Sequence, residues 1–276
     1  MRFLTIFFLA LLPVLAACTA PVAVRDIKTQ VAARLGGFSR QEIKADPFIL
    51  TSYERVRQPG MVAAVYIEGD GLAWLSRTRA SKDPTPTNPV ALKLADEDKS
   101  ANVVYLSRPC QFSKGEGCSQ EYWTGKRFSP EVIAAMGKAL DDIKKRHNIY
   151  GFNLMGFSGG GAVAALLAAR RDDILSLRTV AGNLDTAAFT RLHRVTPLAG
   201  SLNPADVAEK IVRIPQKHFV GAEDKVVPRK IGESFVAATH RPDCIALTEV
   251  EGASHEDGWV EQWPKLLEQP LEGDCM

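Results

Sequence analysis

The chain has 276 residues, with 34 Lys and Arg against 32 Asp and Glu and 46% apolar residues. That length and apolar content suit one large α/β domain with a full core, and the even charge balance gives no general pull on nucleic acid. The basic clusters Lys144-Lys145-Arg146 and Arg170-Arg171 fall at expected helix ends, where they complement the helix dipole rather than form a stripe for a polyanion.

At the N-terminus, Arg2 precedes an apolar run from Phe3 to Leu15 broken only by Thr5 and Pro13. The run is short of the roughly 20 apolar residues a spanning helix needs and suits the h-region of a secretory signal peptide. It ends in Leu15-Ala16-Ala17-Cys18, which resembles the lipobox of bacterial lipoproteins. The resemblance implies cleavage before Cys18, lipidation of Cys18, and attachment to a membrane without spanning it. Thr19 stands where that class uses Asp for inner-membrane retention, so the expected location is the periplasmic face of the outer membrane. Residues 1–17 are thus expected as signal peptide, 18–45 as a lipid-anchored tether with an irregular or helical N-terminal piece, and 46–276 as the folded domain.

Along the domain, Phe48 to Val56 and Met61 to Ile67 read as strands around a turn at Gln58-Pro59-Gly60. Lys82–Asn88, with Pro84 and Pro86, reads as a loop, and Asn102 to Leu106 as a strand. Ser129-Pro130 opens a helix as N-cap and first residue, and Val132, Met136, Leu140 and Ile143 place an apolar stripe along it. Tyr150 to Phe157 reads as a buried strand, and Ala162 to Ala169 as helix. Then come a strand at Leu175 to Ala181, a short helix from Asn203-Pro204, and a strand at Lys217 to Val220. A helix over Pro228 to Ala238, a strand over Ile245 to Val250 and a last helix over Trp259 to Leu267 complete the pattern. Strands alternating with helices predict a mostly parallel sheet covered on both faces. Apart from Cys18, the cysteines are Cys110, Cys118, Cys244 and Cys275, an even count that suits an oxidising compartment. Three pairings are open. The preferred one joins Cys110 to Cys118 and Cys244 to Cys275.

Between the buried strand and its helix lies Gly156-Phe157-Ser158-Gly159-Gly160, a serine among small residues at a strand–turn–helix junction. A serine hydroxyl is a weak nucleophile until a base takes its proton, and the base needs an acid to orient it. Downstream, Gly221-Ala222-Glu223-Asp224-Lys225-Val226-Val227-Pro228 puts an acid just past a strand, and Gly252-Ala253-Ser254-His255 puts a histidine past the final strand. In a parallel sheet all three emerge at the carboxyl edge, where ligands bind. Glu223 and Asp185 are the alternative acids. His147, His193, His218 and His240 compete with His255 but lack its position after a strand.

These ordered segments, G-x-S-x-G, G-x-x-D-x-V-V-P and G-x-S-H, resemble those of the α/β-hydrolase superfamily over about Phe48 to Leu267. The resemblance implies Ser158 as nucleophile, His255 as general base and then acid, and Asp224 as its orienter. The oxyanion donors it implies are the backbone amides of Gly159 and of Asp70 or Gly71 in Glu68-Gly69-Asp70-Gly71. Glu68 stands there where the family pattern has His. The expected reaction is acyl transfer from an ester-like substrate to water, with no cofactor and no metal; neither C-x-x-C nor H-E-x-x-H occurs. The short insertion between Ala181 and Lys217 leaves room only for a small lid. An open site suits soluble esters, peptides or polymer fragments. Tyr122 and Trp123, near the Cys110–Cys118 loop, are candidate pocket walls. The rival readings are a non-catalytic binding lipoprotein on the same scaffold, or a peptidase or thioesterase of the superfamily.

Overall fold

The computed structural model describes residues 22–271. Cys18 and Cys275 lie outside them, as does the signal-like segment. Eight strands form one sheet: β1 (Ser39–Ala45), β2 (Phe48–Val56), β3 (Ala63–Ile67), β4 (Asn102–Leu106), β5 (Phe152–Phe157), β6 (Ile174–Val180), β7 (Gln216–Gly221) and β8 (Ala246–Val250). Their spatial order is β1-β2-β4-β3-β5-β6-β7-β8. Only β2 runs against the rest, pairing antiparallel with β1 and β4, while β4 through β8 are parallel. This is an α/β-hydrolase fold.

The helices are α1 (Val22–Leu35), α2 (Val90–Glu97), α3 (Pro130–His147), α4 (Gly159–Ala168), α5 (Thr186–His193), α6 (Ala208–Ile211), α7 (Arg229–Val236) and α8 (Trp263–Glu268). They cover both faces, as a parallel sheet requires. On one face α3 and α4 build a core in which Val132, Met136, Leu140 and Ile143 meet Val163, Leu166 and Leu167. On the other, Val90, Leu94, Tyr66, Tyr105, Trp259 and Trp263 form a second core.

Local chemistry accounts for the longest helix. Ser129 accepts the Val132 amide at α3's start, Pro130 follows, and Asn148 ends the helix in the left-handed region. Its last-turn cations are ion-paired: Lys144 with Asp173 at 2.7 Å and Arg146 with Glu54 at 2.7 Å. Arg171 also pairs with Asp173, at 2.8 Å.

Some expectations change. Residues 39–45, expected as irregular or helical, form β1, which pairs with β2 along its whole length. Within the segment expected as a tether and an irregular or helical piece, residues 22–35 form helix α1. Two helices were not anticipated, α2 and α5. The first follows Pro89 without a side-chain cap. The last helix starts at Trp263 rather than Trp259, so 255–262 are turns.

Candidate active site

The chain reverses sharply at Ser158, between the end of β5 and the start of α4, with φ 51°. Such a left-handed conformation strains a non-glycine residue and persists only where packing enforces it. The neighbours show why small residues surround it. A Cβ on Gly156 would meet the Gly160 carbonyl oxygen at 2.4 Å, and one on Gly160 would meet Ile67 O at 2.1 Å. The Ser158 amide donates to Val180 O and its carbonyl accepts from Gly161 and Asn183. The turn is therefore held from β6 as well as from its own helix.

Ser158 Oγ lies 3.0 Å from His255 Nε2. His255 Nδ1 lies 2.9 Å from Asp224 Oδ2. Asp224 follows β7; its side chain is fully buried, and its other oxygen accepts the amides of Val226 and Val227, both at 2.8 Å. Burial alone would raise the Asp224 carboxyl. The hydrogen bond and charge of His255, with those two amides, outweigh it and hold the group below the ordinary carboxylate value. His255 sits in the turns after β8, where Trp259 Nε1 donates to the carbonyls of Ser254 and His255. The Phe157 ring packs 5.4 Å from the imidazole.

The competing residues are engaged elsewhere. Asp185 caps α5, accepting the Ala188 amide at 2.9 Å, and takes a hydrogen bond from Ser234 at 2.5 Å. Glu223 is exposed at the turn tip. His147 faces Glu54 at 2.7 Å. His218 is buried in β7 between Thr179 and Gln216, and burial pushes its imidazole down to about 3. His193 meets Val226 O, and the His240 amide donates to Glu209.

The loop after β3 brings Asp70 against the turn: its carboxylate oxygens sit 2.2 and 3.1 Å from where a Gly159 Cβ would lie. Among the described residues no hydrogen bond uses the amides of Gly159 or Asp70. Two buried guanidiniums grip the Asp70 side chain, Arg108 Nη1 at 3.3 Å and Arg127 Nη1 at 2.6 Å. Burial opposes the Asp70 charge, but Arg127 and Arg108 hold its carboxyl below the usual value. Burial pushes Arg108 down to about 10. Gln111 Nε2 donates to Gly69 O at 2.9 Å, and Gly71, at φ 61°, packs on Pro84 O. Gln111 lies in the loop that the Cys110–Cys118 disulfide closes, with cysteine Cα atoms 5.6 Å apart, and Arg108 lies two residues before it. Cys244 is buried and disulfide-bonded, while its expected partner lies outside the described residues.

Arg108, Gln111 and Arg127 were not singled out from the sequence. Their only signal there was proximity to the cysteine loop. Tyr122 and Trp123 pack into the fold beside Asp70. Tyr122 packs edge-on against Phe48, and Trp123 Nε1 donates to Ser81 O at 3.0 Å. Both line a void of only about 10 Å³ with Asp70, Arg108 and Arg127.

Glu68 is fully buried. Its Oε1 accepts the Gly69 amide at 2.8 Å, and the buried Tyr105 hydroxyl lies beside the carboxyl. Burial pushes the Glu68 carboxyl up to about 7. The folded state then holds this proton longer than the unfolded chain does. Its contribution to stability is present below about pH 4.5 and is lost as pH rises through about 7. Glu68→Gln keeps an acceptor for Gly69 and removes the titration. In paired thermal melts the wild type should gain on this variant at about pH 5 and lose ground at about pH 8. An unchanged difference would mean that Glu68 does not titrate in the fold.

Among the described residues no three His, Cys, Asp or Glu gather as a metal site. Residues 84–252 match the family model "Serine hydrolase (FSH1)". The chain belongs to the FSH1 serine hydrolase family. The match takes in Ser158 and Asp224 and ends before His255.

Solved structures agree on the fold of this FSH1 member. Est1E from Butyrivibrio proteoclasticus is 15% identical with a TM-score of 0.56, over 83% of this chain and 96% of that one. An esterase from Pyrococcus furiosus is 14% identical with a TM-score of 0.58, covering 84% and 90%. A serine hydrolase from Xanthomonas campestris, described as lacking a lid, is 13% identical with a TM-score of 0.53, covering 83% and 94%. No curated protein matches the chain.

Proposed function

We propose that this serine hydrolase cleaves ester-like bonds through Ser158, His255 and Asp224. The unbroken chain of contacts from Oγ to Nε2 at 3.0 Å and from Nδ1 to Oδ2 at 2.9 Å carries the reading. With the proton on Nδ1 directed at Asp224, Nε2 is free to take the Ser158 proton as Oγ bonds to the substrate carbonyl carbon. The carbonyl oxygen gains the displaced electron pair and is met by the unengaged amides of Gly159 and Asp70. The imidazolium, steadied by the Asp224 carboxylate, gives its proton to the leaving oxygen, and the acyl group stays on Ser158. Water repeats the sequence through His255, releasing the acid and restoring the serine.

The likeness to the Pyrococcus furiosus esterase and the lidless Xanthomonas campestris hydrolase supports an open esterase site. The segment between β6 and β7 holds only α5, α6 and one 3-10 turn, in keeping with that.

The lipobox-like Leu15-Ala16-Ala17-Cys18 supports attachment to a membrane of the cell envelope, and the Cys110–Cys118 disulfide supports an oxidising compartment. A fluorophosphonate probe should label the wild type at Ser158 and leave Ser158→Ala unlabelled. Equal labelling of both, or none of the wild type, would overturn the hydrolase mechanism. A series of p-nitrophenyl esters then reads the acyl preference.

A further inference from the structure

We propose that the outward face of α1 is a second membrane contact, lying on anionic lipid headgroups beside the acylated Cys18. The inference extends the membrane-attachment reading and is independent of the hydrolytic chemistry.

A surface helix normally buries its apolar stripe and shows its polar face to water. In α1 the arrangement is inverted. Val24, Ile27, Val31 and Leu35 recur at three- and four-residue spacing along one stripe, with Ile27 58%, Val31 53% and Leu35 85% exposed. Arg25 and Thr29 are buried instead: Arg25 bonds to the Thr85 carbonyl and pairs with Asp83 at 3.7 Å. The helix thus faces the domain with Arg25, Thr29 and the small Ala33, and its larger apolar side chains are left uncovered.

Charge selects the occupant. Lys28 and Arg34 are exposed and flank the stripe. The only acid of the helix, Asp26, is drawn to Arg40 at 3.9 Å. A groove of about 460 Å³ between α1 and α2 is edged by Lys28, Lys93 and Asp96, a net cationic border. Apolar residues flanked by cations match the acyl boundary and headgroup layer of an anionic bilayer. Chain continuity points the same way. Cys18 lies four residues before Val22, so acyl chains on Cys18 would hold the start of α1 at the membrane surface. A lipid anchor gains from a second contact of this kind, because each chain alone binds modestly.

The test separates this contact from the anchor. A chain beginning at Thr19 keeps every described strand and helix and carries no lipid. It should sediment with phosphatidylglycerol-rich vesicles, less with phosphatidylcholine vesicles, and less again in high salt. Ile27→Asp with Leu35→Asp should lower the bound fraction about tenfold, with ester hydrolysis in solution unchanged. Tyr150→Asp, an exposed residue outside α1, should leave binding intact. Equal sedimentation of wild type and double variant overturns the proposal. So does a wild-type dimer that the double variant turns into a monomer, since the stripe is then a face between copies. In the full-length protein, release from membranes by Cys18→Ser reads acylation alone. A chain that is never lipidated but still binds through α1 would fail the anchor reading and keep this one.

Discussion

Asp224→Asn is expected to lower kcat about 10⁴-fold while costing only a few degrees of thermal stability. Asn can keep Oδ1 on the amides of Val226 and Val227, so the turn after β7 survives. Its Nδ2 then faces His255 Nδ1 as a donor in place of the carboxylate. The imidazole must answer with a lone pair on Nδ1, which places its proton on Nε2, opposite Ser158 Oγ. A base that already carries a proton there cannot take one from serine, and no buried charge remains to steady the imidazolium. Asp185→Asn is the matched control. Asp185 caps α5 and takes the Ser234 hydrogen bond, so its loss should cost on the order of 1 kcal/mol of stability and little activity. Steady-state kinetics on a p-nitrophenyl ester and paired melts read both variants. An active Asp224→Asn beside an inactive Asp185→Asn would reassign the orienting acid.

What sequence could and could not reveal follows from where the physics is local. The turn at Ser158 was legible because its requirements are one-dimensional: small residues on both sides, a buried strand before and helix formers after. Asp224 and His255 were legible because each follows a strand with a strong apolar signature. Helix α3 announced itself through Ser129, Pro130 and its stripe. By contrast, β1 is an edge strand whose burial pattern is largely exposed, so Ser39–Ala45 shows no alternation to read. Helix α1 hid for a related reason, since its large apolar side chains point outward while Arg25 and Thr29 are buried beside Ala33. Arg108, Gln111 and Arg127 come from two loops that meet Asp70 only in three dimensions. No spacing in the chain encodes such a meeting. Glu68 was visible as a departure from the family pattern, but its raised carboxyl comes from burial that only the fold supplies.

Arg127→Leu is expected to lower kcat about 10²–10³-fold with a small change in KM, the scale of losing one oxyanion donor. In the proposed mechanism Arg127 is a positioning residue that acts through Asp70. Its Nη1 lies 2.6 Å from Asp70 Oδ2 while its Nε donates to Thr124 O, which ties the loop after β3 to the segment before α3. Removing it has two consequences. The loop that presents the Asp70 amide loses its shortest tether, with Arg108 left at 3.3 Å. The Asp70 carboxylate, packed against Gly159, also loses its nearest cation beside the proposed oxyanion position. A negative charge there opposes the one developing in the transition state. Arg127→Lys keeps a cation but not the Thr124 tie, so it should recover part of the loss. The double variant Arg127→Leu with Asp70→Asn decides between repulsion and loosening. If the stranded carboxylate is the main cost, removing it restores activity above that of Arg127→Leu alone. If the tether matters more, the double variant is no better than the single one, because the Asp70 amide is equally free. Pre-steady-state acylation and the rate of fluorophosphonate labelling should fall together in Arg127→Leu, since both place charge on the same two amides. A drop in ester turnover with labelling at the wild-type rate would exclude Arg127 from this role.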